Sequence, residues 1–513
     1  MKNRTKSVLT HMLTFSTAAV MGFCAGRGTA DIPAAVDATL TIKPVQMEGT
    51  RPFEGWGTAL CWWANRLGYS DVLAQKSADL FYGDDGLRMN IMRYNIGGGD
   101  DPTHDHITRT DSEVPGWLVW DEALQAYLYD YDADHNQLNV LQRAVKAAGD
   151  DAVVEVFANS PPYFMTVSGC TSGAQNPNDN NLREDQYEAF AKYLVDVTDY
   201  IQHNLLINVT SLSPMNEPDT DYWGAYSWKQ EGCHYDPGQV QSQVIVAVAK
   251  ALENSRSQNV IIAVSDETSP EKQIKEYYAY SAEAKKYIGR INAHTYMEEG
   301  RKALGKLAQQ QDINLWMSEV DGDGTAGENA GEMGSALWYG KKIIADINEL
   351  SPTAWVMWQA IDNHISAEGY NGRKDYGMVN VNKGFWGIAV ADHDQEEIIL
   401  TQKYYGMGQF TRYIRPGSTL IQLGDDALGA YDPQTKQLVV VAVNTEAKDK
   451  LLRVDLSGYA QKGGEVQVIR TSGSMADGEH WAQLDNIPMD GDGFNAELKG
   501  NSITTWVIDN VIP

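Results

Sequence analysis

Cysteine is scarce, with 4 in 513 residues, and none stands in a C-x-x-C or His/Cys spacing that would hold zinc, so no metal is expected. Cys24 falls among the first thirty residues. The other three, Cys61, Cys170 and Cys233, permit one bridge at most. Cys170 and Cys233 both stand in glycine-containing loops that would follow adjacent core strands, so they are the expected disulfide, with Cys61 a buried thiol. Positive charge is also short, 41 Lys and Arg against 69 Asp and Glu, for a formal net charge of −28. Such a field repels nucleic acid and anionic lipid, and neutral partners are expected instead. No apolar run is long enough to span a bilayer. Gly97–Gly99 lacks the G-x-G-x-x-G spacing, so no nucleotide cofactor is expected. No internal repeat appears, and a monomer is expected. What is plentiful is Tyr and Trp, 26 and 14 against 10 Phe. Their flat apolar faces and polar handles suit polyhydroxylated ligands.

The stretch MKNRTKSVLTHMLTFSTAAVMGFCAGRGTA has a basic start, an interrupted apolar segment and a small-residue exit. Residues 1–30 therefore read as a signal peptide, and the protein as secreted, extracellular or periplasmic. The remainder is too long for one ordinary core. Strand-like stretches at Phe53–Gly57, Met89–Asn95, Ala152–Ala158, Val209–Met215, Asn259–Ser265, Arg290–Tyr296, Ile313–Ser318 and Thr353–Trp358 alternate with helical patterns. In Leu182–Asn204, for example, Tyr187, Phe190, Ala191, Leu194, Val197 and Ile201 recur at three and four residues. A further helix is expected over Glu396–Tyr413. Eight strand–helix units in series predict an α/β protein with a (β/α)₈ TIM barrel over 51–414. After Arg415-Pro416-Gly417 the helical period disappears. Gln437–Asn444, Leu451–Leu456, Glu465–Thr471 and Ser502–Asp509 then read as strands between Gly, Asp and Ser turns. They predict a C-terminal β-sandwich side domain over 415–513, which also takes residues 31–50 through the unpartnered strand Ala38–Pro44.

The fourth strand runs into VTSLSPMNEP, and Pro218 stops it by removing a ladder donor. Glu217 is thereby set on a strand tip, where barrels place their catalytic groups. Taken alone, N-E-P is more often a capping or salt-bridged surface glutamate. The seventh strand, INLWMSEV, ends in the same way at Glu319. Two carboxylates over one pocket point to glycoside hydrolysis, one giving a proton and the other attacking or activating water. Other tips carry Glu54, Arg93, Asn159, Asp266 with Glu267, His294 with Tyr296, and Trp358. Arg93 beside Glu319 would keep that carboxylate ionised, and Tyr296 would orient it. Trp56, Trp62 and Trp63, with Tyr222, Trp223, Tyr226 and Trp228, are candidate walls, although Trp62 and Trp63 cannot both face the pocket if extended.

FEGWGTALCWWAN, MRYNIGGGDDPTHDH, NSPPYFM, SPMNEP, WMSEVDG and KYYGMGQFTRYIRPG closely resemble glycoside hydrolase family 30, and within it the β-1,6-galactanase subfamily. The resemblance implies a barrel with a sandwich built from both chain ends and a retaining two-glutamate mechanism acting on β-linked galactan or galacto-oligosaccharide. It also implies endo action on arabinogalactan side chains. Glu217 is similar to the acid/base, Glu319 to the nucleophile, and Asn216 to the residue that binds the sugar 2-hydroxyl. Arg93, His294 and Tyr296 match the support of the nucleophile and Trp358 the aromatic floor, with Trp56, Trp63, Asn159 and Trp223 as sugar contacts. Glu54 is the candidate for reading an axial 4-hydroxyl. β-1,6-Glucanase or xylanase activity on the same scaffold, and a catalytically dead sugar-binding barrel, are the alternatives.

Overall fold

Eight short parallel strands close on themselves in chain order, the eighth pairing with the first. The computed structural model describes residues 35–45, 50–104, 106–109, 112, 114–321, 329–367 and 386–513; the expected leader lies outside them. The barrel strands are Gly55–Ala59, Ile91–Asn95, Val153–Phe157, Val209–Ser213, Ile261–Glu267, Ile288–His294, Asn314–Glu319 and Ala354–Gln359. Three are buried along their whole length and the other five at all but one position, which is why they read as apolar runs. Helices such as Tyr187–His203, Gln239–Glu253 and Met333–Leu350 pack their apolar stripes against the outside.

The N-terminal strand Ala38–Thr41 pairs in parallel with Lys450–Asp455, which pairs antiparallel with Gly493–Leu498. This three-stranded sheet faces a six-stranded one over a core that includes Val440, Val454, Phe494 and Trp506. The side domain therefore does draw on both ends of the chain. Strand Gln437–Asn444 of the larger sheet is buried on both faces. Leu438, Val440 and Ala442 face the sandwich core, while Val439, Val441 and Val443 join the barrel's cluster against the helix layer. Glycines permit that approach: a Cβ on Gly340 would lie 2.9 Å from Val443, and one on Gly408 2.2 Å from the Trp481 ring.

Besides small shifts in strand boundaries, two features of the barrel depart from the sequence reading. A hairpin, Leu118–Asp121 with Ala126–Tyr129, lies between the second and third barrel strands. The expected helix Glu396–Tyr413 is a strand, Glu397–Leu400, followed by helix Gln402–Thr411. Among the described residues no helix is long and apolar enough to cross a membrane.

Candidate active site

Arg93 stands at the centre of the second strand, wholly buried, and binds four strands together. Its Nε donates to Glu155 Oε1 at 2.8 Å and its Nη2 to Asp266 Oδ2 at 2.7 Å. Its Nη1 donates to the Ser318 carbonyl at 3.1 Å and to Glu319 Oε2 at 3.4 Å. Burial opposes this charge, yet Asp266, Glu155 and Glu319 together hold the guanidinium above its ordinary pKa. Below it Arg290 binds Glu155, donates to Ser211 Oγ at 2.7 Å and lies 3.4 Å over the Trp316 ring.

His294 links the two candidate glutamates. Nδ1 is 3.1 Å from Glu217 Oε1 and 3.6 Å from Glu319 Oε1, while Nε2 is 3.4 Å from Asp266 Oδ1. Burial disfavours its charge, but Glu319, Asp266 and Glu217 outweigh that and raise it to about 10, so the imidazolium persists at neutral pH. Tyr296 donates to Glu319 Oε1 at 3.0 Å, and Tyr222 donates to Glu217 Oε2. Glu319 is pushed up to about 7, first by burial and then by Glu217 and Asp266, against the lowering by His294 and Arg93. The expected effect of Arg93 is present, but desolvation exceeds it.

Donor atoms of Glu217, His294 and Glu319 lie within 4.8 Å of one another, near enough to hold an ion. A doubly protonated imidazole offers no lone pair, so the trio fits a proton-sharing carboxylate pair better than a metal. Glu217 itself has left-handed backbone, φ +47°, as does Asp266 at +59°. For non-glycine residues this costs about 1–2 kcal/mol each. The Glu217 N–H donates to the Asp266 carbonyl at 2.9 Å, tying the two together.

Around this pair, Asn159 and Asn216 are buried with their Oδ1 atoms unpartnered among the described residues, as is Trp62 Nε1. Trp358 meets Trp62 edge to face at 5.1 Å, and the Arg109 guanidinium lies 4.4 Å over Trp62. Trp223 is an internal prop: its Nε1 donates to the Glu217 carbonyl at 3.0 Å. Tyr222, Tyr226 and Trp228 present exposed rings from the same loop.

Besides Trp223, expected as a sugar contact and found instead buried beneath Glu217, four expectations are corrected. Glu54 precedes the first strand and binds Asn314, Thr353 Oγ1 (2.8 Å) and Trp316 Nε1 (3.1 Å), at the opposite mouth of the barrel. Trp56 points outward, its Nε1 donating to Ile414 O at 2.8 Å and its ring packing on Phe53. Trp63 lies in helix Trp63–Leu67 against Phe81, so Trp62 is the pocket tryptophan. Cys170 and Cys233 are not bridged: all three described cysteines are free and buried. The Cys170 sulfur lies 3.4 Å from Ser168 Oγ and accepts from Tyr226 N–H at 3.4 Å, whereas Cys233 faces the His234 carbonyl at 3.6 Å. Asp266, Glu155 and Arg290 complete the charge network. Asp266 was expected at a strand tip; the one sequence signal of Glu155 and Arg290 was an ionisable side chain inside an otherwise apolar strand.

Volume does not locate this site. A groove of about 1060 Å³ between helices Tyr187–His203 and Gln239–Glu253 contains neither glutamate.

A family model described as O-glycosyl hydrolase family 30 matches residues 39–369. The chain is similar to an endo-β-1,6-galactanase of Hypocrea rufa, at 29% identity over 93% of this chain and 96% of that one. It is 27% identical to an exo-β-1,6-galactobiohydrolase of Bifidobacterium longum subsp. longum, over 88% of this chain and 37% of that longer protein. A conserved exported protein from Bacteroides fragilis matches in structure with a TM-score of 0.72 at 17% identity, covering 91% of this chain and 100% of that one.

Proposed function

The chain belongs to O-glycosyl hydrolase family 30, and from that premise we propose that it is a secreted, monomeric, retaining endo-β-1,6-galactanase. The observation that carries the mechanism is the approach of Glu217 and Glu319 carboxylate oxygens to within 4.8 Å. Retaining glycosidases hold their carboxyls about 5–5.5 Å apart, whereas inverting ones leave about 6.5–9.5 Å for a water. Glu319 accepts from Arg93 and Tyr296 and lies 3.6 Å from His294, a set of donors that orients it for attack, and we assign it as the nucleophile. Glu217 delivers the pair's proton to the departing glycosidic oxygen, then takes one from the water that releases the glycosyl–enzyme. Asn216 and Asn159 offer buried acceptors to sugar hydroxyls.

The galactan assignment draws on the two galactan-acting relatives, and endo action on the one covered over 96% of its length. The aromatic surfaces are compatible with it. A 1,6-linkage inserts an extra rotatable carbon, and such a chain is better held ring by ring than in one flat groove. The buried edge-to-face pair Trp62 and Trp358, and the exposed rings of Tyr222, Tyr226 and Trp228, offer separate surfaces of that kind. The assay is release of reducing ends from de-arabinosylated arabinogalactan beside β-1,6-glucan and glucuronoxylan, each with and without EDTA. Galactan should be fastest, with no effect of the chelator and a β-anomer as first product. A tenfold or greater preference for either other polymer, about 1.4 kcal/mol of transition-state discrimination, overturns the substrate assignment. An α-anomer as first product overturns retention.

A further inference from the structure

Behind the arm that carries Glu217 lie two more buried carboxyls that the mechanism does not use. Glu267 ends the fifth strand and Glu276 stands on helix Pro270–Ala279, both wholly buried and hydrogen-bonded to each other. Asp266, at an irregularity in the strand register, reaches Arg93 inside the barrel, while Glu267 meets Glu276 on the outer helix. Glu267 Oε1 accepts the Asp219 N–H at 2.6 Å, two residues beyond Glu217. The same turn is held by Lys272, whose Nζ donates to the Asp219 carbonyl, and by the Tyr235 N–H on Pro218 O at 3.1 Å. Glu276 is fixed by Gln241 Nε2 at 3.0 Å and by Ser265 Oγ.

Two carboxyls in contact without water cannot both be charged. Burial pushes both upward, and the charge of Glu267 pushes Glu276 further, so one proton stays between them. The other titratable groups facing the pair are Lys272, Glu217, Tyr222 and Tyr280. Left-handed backbone at Glu217 persists only where its surroundings over-determine it, and this turn is one such constraint.

We propose that Glu267, with Glu276 as its proton-sharing partner, is a positioning residue for acid–base catalysis: it fixes the Pro218–Asp219 turn and thereby the direction in which Glu217 presents its carboxyl. This rests on Glu217 being the acid/base. A displaced acid harms only substrates that need a proton, whereas general loss of structure harms all of them.

The test compares Glu267→Leu, Glu267→Asp, Glu267→Gln and Glu217→Ala on galactan and on 2,4-dinitrophenyl β-1,6-galactobioside. For Glu267→Leu, kcat/KM on galactan should fall about tenfold to a hundredfold and on the activated glycoside less than about threefold, part of what a general acid contributes. Glu267→Asp keeps the carboxyl and withdraws the acceptor by one carbon, and it gives the same split should the leucine variant not fold. Glu267→Gln, whose amide N–H replaces the shared proton, should recover most of the loss. Equal losses on both substrates, or a glutamine variant no better than leucine, overturn the inference while Glu217→Ala still shows its own larger split. A Glu217→Ala variant without that split overturns the acid/base assignment, and the inference with it.

Discussion

Arg93, Arg290 and His294 bring three positive charges into a barrel interior that also holds Glu155, Asp266, Glu217 and Glu319. Three cations against four carboxyls balance when the glutamate pair keeps one proton, and a buried site pays heavily for any other count. The pH dependence follows from that proton. Above about 7, the value to which Glu319 is raised, the pair carries two charges and has nothing to give the leaving oxygen. The kcat/KM profile should therefore fall on its alkaline side with an apparent pKa near that value. His294→Gln removes a cation that lowers Glu319, so the limb should move to higher pH as the rate drops; a limb that stays in place or moves down rejects this account. The two glutamates should also separate by rescue. With Glu319 as the proposed nucleophile, Glu319→Gln should abolish turnover and azide should not restore it, because a nucleophile has no substitute. Glu217→Ala should still glycosylate on an activated glycoside and yield a glycosyl azide, since a good leaving group needs no proton. Equal losses without an azide adduct from either variant would reverse or remove these roles.

Strand ends explain both what the sequence disclosed and what it hid. Glu217 and Glu319 were legible because a proline or a closing carboxylate terminated an apolar run. Arg93, His294 and Tyr296 were legible because polar groups at tips are foreign to an inert core. The first strand shows the limit of such reading. It was expected over Phe53–Gly57 but runs Gly55–Ala59, and with either boundary Glu54 stands at the strand's start, the mouth opposite the C-terminal tips that carry the pocket. Trp56, Trp62 and Trp63 differ in direction because the chain leaves the strand and enters a helix between them, a change no alternation pattern carries. The cysteines were misread because adjacency of loops does not fix where two sulfurs point. Glu54 now has a testable role in closing the barrel, since its carboxylate joins the entry ends of the first, seventh and eighth strands. Glu54→Leu leaves Asn314 Nδ2 and Trp316 Nε1 without their acceptor, while Thr353 keeps Asn314 Oδ1, and should cost about 1–3 kcal/mol of stability. Its relative rates on galactan and β-1,6-glucan should match the parent's. An altered substrate ratio at unchanged stability would return Glu54 to the binding site.

Across the whole molecule the sandwich keeps a core between its two sheets, while the other face of its six-stranded sheet shares the barrel's core. Val36 to Pro513 form one compact unit, and the six-stranded sheet contributes Val439, Val441, Val443, Ile469, Ile503 and Val507 to the cluster that fills the barrel's helix layer. The run QLVVVAVN already announced a strand without a polar face, although not which neighbour would cover its second side. Ile503 is the clearest point of contact. It is wholly buried, and its Cδ1 lies 3.0 Å from a Cβ built on Gly340 and 3.3 Å from one on Gly406, so two helices approach it where they have no side chains. Ile503→Ala removes that filling, and neither helix has a side chain there to move into the gap. A loss of about 2–5 kcal/mol is expected. Because the interface belongs to both parts, heating should unfold them together. Calorimetry of the full chain should give one endotherm, and Ile503→Ala should lower it as a whole, with near-ultraviolet dichroism and hydrolytic activity lost at the same shifted temperature. Two endotherms, with only the lower one moved by the substitution and activity following the upper, would show the barrel to be stable without its sandwich.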